Sequence, residues 1–214
     1  MSPEGVAHIT ARTVVEGAAS QATYESMASG AISAAKLLAT ALPDLVVFAC
    51  TSGSIVCNRD KINQEISDIC AAPATSTTDA VISALSELGA KKLALATPYT
   101  SFVVDKEIQF LNETGFEVVS ERSLGLGQNM QERLQFQRTS PNEIYDLAIS
   151  ADSSDADAIF ISCTGLASLS AIEKIESTTR KPVITSNQAT FWHCLRHLDI
   201  DDKLVGFGQL LRQH

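Results

Sequence analysis

"FACTSGS", residues 48–54, ends an apolar run on a cysteine and follows it with Thr51, Ser52, Gly53 and Ser54. The run it closes, LVVFAC (45–50), has the length and β-branched content of a buried strand. The pattern returns in "FISCTGLAS", residues 160–168, where Cys163 is followed by Thr164, Gly165 and further small residues. The two cysteines lie 113 residues apart (163 − 50). Matching them lays PATSTTDA (73–80) against PVITSNQA (182–189). A chain that repeats a strand, a thiol and a hydroxyl-rich turn in this order reads as an internal duplication.

Outward from these motifs, short apolar runs alternate with amphipathic stretches, the signal for a parallel α/β sheet. Strands are expected at 5–12, 45–50, 73–77, 92–97, 116–121, 158–163 and 182–186. Helices are expected at 22–41, 60–70, 78–88, 101–114, 141–151, 167–178 and 188–198. Thr78-Asp79, Ser101 and Ser140-Pro141 supply start signals, and Gly89 and Gly115 sit where helices end. The glycine-marked segment 123–138 reads as a long, partly helical loop of the kind that covers a site. In the repeat alignment, 5–12 matches 116–121, and the partner of 92–97 would precede Met1. The expected fold is therefore α/β, with two pseudo-symmetric lobes of parallel sheet and helices, the first lobe lacking its first strand. Residues 1–90 form the N-terminal lobe, completed by 190–214, and 91–189 form the C-terminal lobe, with the active-site cleft between them.

The 214 residues are 45% apolar, enough for a sizeable core. The net charge of −9, with basic pairs only at Lys91-Lys92 and Arg180-Lys181, argues against nucleic acid and anionic membrane surfaces as partners. No apolar run approaches the roughly 18 residues of a membrane span. The start, MSPEGVAHIT, has no secretory pattern. Five cysteines at 50, 57, 70, 163 and 194 contain no C-x-x-C and no paired zinc spacing. A reduced, cytoplasmic protein is the expectation.

In open α/β sheets, ligands sit beyond the carboxyl ends of the strands, where Cys50 and Cys163 both fall. Backbone N–H groups at such turns hold a carboxylate. The same field is expected to lower the thiol pKa. Thr51, Ser52, Thr164 and Ser168 add hydroxyl donors, while Gly53 and Gly165 permit close approach. If the halves face one another, the two thiols meet across one small cleft. That arrangement moves protons on two faces of one carbon without metal or organic cofactor. Cys57, Cys70 and Cys194 lack this context and read as small packed residues. His193 and His197 have the spacing of a metal pair but no accompanying glutamate, so a partly exposed helix face is expected. Asp152, Asp155 and Asp157 read as a solvated loop, and Trp192 as an interlobe packing anchor. No nucleotide-binding glycine pattern is present.

FACTSGS, LATPYTS (95–101), IFISCTGLASLSAIEKIE (159–176) and KPVITSNQATFWHCLRHL (181–198) resemble the aspartate/glutamate racemase superfamily. Within it, they most resemble the arylmalonate decarboxylase and maleate cis-trans isomerase family, which includes ectoine-utilisation proteins. The likeness covers essentially the whole chain and ends on GFGQLL (206–211). It implies two pseudo-symmetric α/β lobes with the site between them. By position it makes Cys50 and Cys163 the catalytic thiols. It makes Thr51, Ser52, Thr164 and Gly165 the carboxylate-binding turns, and Tyr99 and Thr100 the turn whose tyrosine hydroxyl bonds carboxylate. Retention of both cysteines favours isomerisation or racemisation of a small carboxylate or dicarboxylate, with no cofactor and no metal. Two alternatives stay open: a decarboxylase that uses Cys163 alone, and a degenerate ligand-binding member. A homo-oligomer is also compatible. The family's usual first strand, ending in a Pro-Ser-Ser/Thr-Asn type turn, would precede PEGV.

Overall fold

The computed structural model describes all residues, Met1–His214. Helix α1 (Gln21–Ala39) leads into β1 (Val46–Phe48), α2 (Thr51–Val56), α3 (Arg59–Cys70), β2 (Ala74–Ser76) and α4 (Thr77–Glu87). Then come β3 (Lys92–Tyr99), α5 (Ser101–Glu113), β4 (Glu117–Leu126), α6 (Met130–Gln135) and α7 (Pro141–Ala151). The chain closes with β5 (Ala158–Ile161), α8 (Ile172–Thr179), β6 (Val183–Thr185), α9 (Ser186–His197) and α10 (Gly208–Gln213).

All strand pairs are parallel. β1 and β2 make a two-stranded sheet, and the order β4-β3-β5-β6 makes a four-stranded one. The duplication holds at the level of backbone register. Phe48 pairs with Ser76 in one sheet, and Ile161 pairs with Thr185 in the other. Cys50 and Cys163 each stand two residues beyond their strands. Ser76 and Thr185 then each cap a helix reciprocally, Ser76 with Asp79 and Thr185 with Gln188. Both pairs keep the same 109-residue offset (185 − 76 and 188 − 79). The cap of α4 thus falls two residues before the expected Thr78.

Ser140, with Pro141 and Glu143, caps α7 as its sequence signals. Gly89 and Gly115 take positive φ, +67° and +93°, just past α4 and α5, where a Cβ would be strained. Segment 123–138 is part strand and part helix, since β4 runs on to Leu126 and α6 follows.

One expected strand is not formed. Residues 6–16 adopt no regular structure and are largely exposed. The counterpart of this segment, β4, touches its sheet only through β3. No strand among residues 1–45 takes the place of β3 beside β1. A strand without a neighbouring backbone leaves its N–H and C=O groups to water, so the segment stays unpaired. The first lobe is therefore two strands short of the second.

Period-2 alternation places the core on both faces of the larger sheet. Leu93, Leu95, Phe160 and Ile184 point to one face, where Leu85, Trp192, Leu210 and Leu211 cover them. Ala94, Ala96, Ile159, Ile161 and Val183 point to the other, beneath Ile144, Ile172 and Ile175. Each fully buried Leu or Ile stabilises the fold by roughly 1.5–3 kcal/mol. The equivalent helices α4 and α9 pack on one another, with Trp192 in the shared apolar cluster. α10 packs on β6 and α8. No helix is long and apolar enough to cross a membrane.

Candidate active site

Cys50 is the N-cap of α2, and its sulfur accepts the Gly53 N–H at 3.3 Å. Only a glycine permits this approach. A Cβ at Gly53 would meet Met27 Cε at 2.3 Å and both Cys50 Sγ and Phe48 Cζ at 3.1 Å. The first helical hydrogen bond of the turn is Ser54 N–H to Cys50 O, so the N–H groups of Thr51 and Ser52 precede the helical ladder. Ser52 Oγ lies 3.8 Å from Cys50 Sγ. The Tyr24 hydroxyl, buried on α1, faces Ser52.

Cys163 occupies the equivalent place with a different backbone. Its φ is +128°, a region L residues rarely adopt, at a cost of about 1–3 kcal/mol. Two contacts hold it there. The Cys163 N–H donates to Ser186 Oγ at 3.0 Å, and the Gly165 N–H donates to Cys163 Sγ at 3.2 Å. The buried Tyr99 hydroxyl faces the same sulfur. Phe136 closes the far side, edge-on to Tyr99 with ring centroids 5.8 Å apart.

The two turns are tied to each other. Thr51 Oγ1 donates to Ser186 Oγ at 2.8 Å, so one buried hydroxyl serves both cysteine turns. Thr164 Oγ1 donates to Ala49 O at 3.2 Å in the opposite direction. Asn187 Nδ2 then donates to the carbonyls of Thr164 and Leu166.

The expectation of lowered thiol pKa values is overturned. Burial pushes Cys50 up, and the Gly53 N–H, the Ser52 hydroxyl and the positive field of Arg133 offset it only in part. Burial pushes Cys163 up to about 12, against the Tyr99 hydroxyl and the Gly165 N–H, with Cys50 and Glu107 adding to the rise. Desolvation outweighs a few oriented donors when a thiol leaves water. Both thiols are neutral at pH 7 in the free protein.

A family model described as arylmalonate decarboxylase matches residues 3–211. The chain belongs to the arylmalonate decarboxylase family. It is 32% identical over 142 residues to a maleate isomerase of Geobacillus stearothermophilus, covering 66% of this chain and 55% of that one. It is 34% identical over 127 residues to an arylmalonate decarboxylase of Bordetella bronchiseptica, covering 58% and 51%. The chain thus spans about half the length of these two relatives. The crystal structure of a cysteine-to-alanine variant of a maleate isomerase from Pseudomonas putida S16 with maleate superposes with a TM-score of 0.85. That match is 25% identical and covers 94% of this chain and 82% of that one.

In this member of the arylmalonate decarboxylase family, Cys50, Ser52, Tyr99, Cys163 and Gly165 gather at the two turns. The Thr51 and Thr164 hydroxyls are committed to Ser186 and Ala49, so what they offer a ligand is backbone. Thr100 caps α5 without a side-chain hydrogen bond and leaves its hydroxyl free. A surface cleft lies elsewhere, between β4 and α7, where Leu124, Arg138 and Glu143 line it without a cysteine.

Three residues of the site carry no mark in the sequence, and a fourth carries a weak one. Ser186 sits in the quoted SNQA stretch, whose match to the capped α4 was its available signal. Tyr24, Glu107 and Arg133 arrive from elements without a motif. Glu107 is fully buried on α5, accepts from the Ser162 hydroxyl beside Cys163, and leaves Oε2 without a partner. Burial pushes its pKa up to about 8, against the Ser162 hydrogen bond.

Outside the site, His193 shares a hydrogen bond with Thr75, and no group of three His, Cys, Asp or Glu side chains is placed to hold a metal. The acidic run is more than a solvated loop. Asp152 pairs with Lys181 at 2.7 Å, and Asp157 accepts the N–H groups of Lys91 and Lys92.

Proposed function

We propose that this chain is a cofactor-independent cis–trans isomerase of a small dicarboxylate of the maleate type, with Cys50 and Cys163 as its reacting thiols. One observation carries the reading: two thiols close equivalent strands, and a single hydroxyl, Ser186, ties their turns together. Similarity to maleate isomerases supports the substrate class. The lobe boundary falls near residue 90, with α9 on α4 completing the first lobe and α10 belonging with β6 and α8.

The environments of the thiols separate their roles. Cys50 has the Gly53 N–H, the Ser52 hydroxyl and the field of Arg133 to favour its thiolate. Cys163 is held more firmly neutral. Cys50 therefore loses its proton first, to a substrate carboxylate that returns it when the product leaves, and the thiolate adds to one alkene carbon. The π pair moves to the adjacent carbon and into its carboxylate as an enediolate. The C–C bond, now single, rotates, and the pair returns to expel the Cys50 thiolate from the trans product. No atom is gained or lost. The free N–H groups of Thr51 and Ser52 and the hydroxyls of Ser52 and Thr100 suit the enediolate oxygens. From the other side Cys163, with Tyr99 beside it, lends its proton to the carbanionic carbon while the C–C bond rotates and takes it back before the pair expels Cys50, so both thiols are needed.

The test is conversion of maleate to fumarate, followed by proton NMR, for the wild type, Cys50→Ala, Cys163→Ala and the double variant. Each single variant should lose about three orders of magnitude or more, and the double variant little beyond that. A wild type without turnover would overturn the reading. A Cys50→Ala variant that isomerises at the wild-type rate would overturn the two-thiol chemistry, and its release of CO2 from an arylmalonate would establish the one-cysteine decarboxylase.

A further inference from the structure

Arg133 is a cation beside an otherwise uncharged site. It lies on α6, in the segment whose Gly127 carbonyl accepts the Ala19 N–H and whose turn is folded onto the Glu132 carboxylate. That clamp brings α6 over the N-terminus of α1. The Arg133 guanidinium then stacks 5.3 Å from the centre of the Tyr24 ring. Tyr24 faces Ser52, and Ser52 stands 3.8 Å from Cys50 Sγ. The path from guanidinium to thiol is thus one tyrosine and one serine.

Arg133 is both free and close to Cys50, whereas Arg12, Arg138 and Arg180 are equally unpaired but do not act on that thiol. Arg59 pairs with Asp79, Lys181 with Asp152, and Arg212 approaches Glu173 and Glu176. Arg196 binds the carbonyls of Ile200, Asp202 and His214. Arg133 forms no ion pair and no side-chain hydrogen bond. Stacking on an aromatic face uses the flat side of the guanidinium and leaves its N–H edge free for a planar, two-oxygen anion. The cysteine turns hold hydroxyls and N–H groups, which suffice for one carboxylate. The second carboxylate of a dicarboxylate needs a separate counter-charge, because it would otherwise sit unpaired beside a developing thiolate.

We propose that Arg133 is the specificity-determining residue for that second carboxylate, so that the site selects dianionic over monoanionic cis-alkenes of the same shape. This inference rests on the small-dicarboxylate reading above. Arg133→Lys keeps the charge but not the fork or the stack, so it should retain only part of the selection.

The experiment reads protection of Cys50 from iodoacetamide by peptide mass spectrometry, which does not depend on turnover. Two probes of one shape are compared, maleate and its monoamide, maleamate. In the wild type, maleate should protect at concentrations about tenfold or more below those of maleamate. In Arg133→Gln that ratio should fall towards one, with Arg133→Lys between. Because each ratio is taken within one variant, a change in the intrinsic reactivity of Cys50 cancels. A thermal melt checks that each variant is folded. A wild-type preference for maleate that survives in Arg133→Gln would overturn the role of Arg133 and leave the isomerase reading standing. Absence of protection by either probe in the wild type would overturn the dicarboxylate reading, and this inference with it.

Discussion

The hydroxyl of Thr51 donates to Ser186 Oγ at 2.8 Å, joining the turn after β1 to the turn after β6 across 135 residues of sequence. Ser186 is wholly buried and accepts the Cys163 N–H as well. Ser186→Ala would leave that N–H and the Thr51 hydroxyl without an acceptor, at a cost of about 1–3 kcal/mol. The expected drop in melting temperature is roughly 2–4 °C for each kcal/mol, with a larger proportional loss in maleate turnover. A variant that melts and turns over as the wild type does would show that the bridge is dispensable.

Thiol ionisation should be delayed well past the ordinary range. Burial raises both site thiols, and Cys163 has the further opposition of Glu107 and Cys50. Iodoacetamide labelling should be slow at pH 7 and should accelerate as pH rises. Cys50 should react at lower pH than Cys163. Peptide mass spectrometry across a pH series resolves the two; the reverse order would contradict the division of roles proposed above.

Glu107 predicts a pH dependence of stability. Its folded pKa is raised to about 8, above its ordinary carboxylate value, so the native state binds the extra proton. Stability from this group is therefore full at acid pH and declines as pH rises from about 4.5 to about 8, by at most ~1.4 kcal/mol per unit. Glu107→Gln keeps the acceptor for Ser162 and cannot ionise. Its melting temperature should exceed the wild type's near pH 8.5 and approach it near pH 5. Parallel curves across that range would show that Glu107 does not titrate within it.

Gly165 tests how tightly the second thiol is held. Its φ is not among the positive ones, so alanine fits the backbone. The added Cβ would sit 3.3 Å from both Cys163 Sγ and Phe136 Cβ. The thiol or the ring must shift by a few tenths of an ångström. Gly165→Ala should cost about tenfold or more in turnover while stability changes by less than about 1 kcal/mol. Full activity would mean that the position of the Cys163 sulfur tolerates this displacement.

Much of the fold was legible because its signals are local. The apolar runs before Cys50 and Cys163, the cap at Ser140 and the glycines at 89 and 115 each depend on neighbours within a few residues. Strand 5–12 misled for the opposite reason. Its composition suits a strand, but a strand exists only beside another backbone, and the lobe offers none at that edge. The partners of the exposed acidic run were not legible, because Asp157 finds its N–H donors 66 and 65 residues away at Lys91 and Lys92.

By itself the sequence determined the α/β alternation, the duplicated cysteine turns and the glycines beside them, since these follow from covalent order and short-range backbone chemistry. The tertiary structure decided which groups surround the sulfurs. Tyr24, Glu107, Arg133 and Ser186 come from four separate helices and share no motif. It also decided the protonation of the thiols, reversing the expectation from the turns alone. The reason is physical: a turn's oriented N–H groups are set by local sequence, whereas the desolvation that outweighs them is set by everything the fold packs around the site.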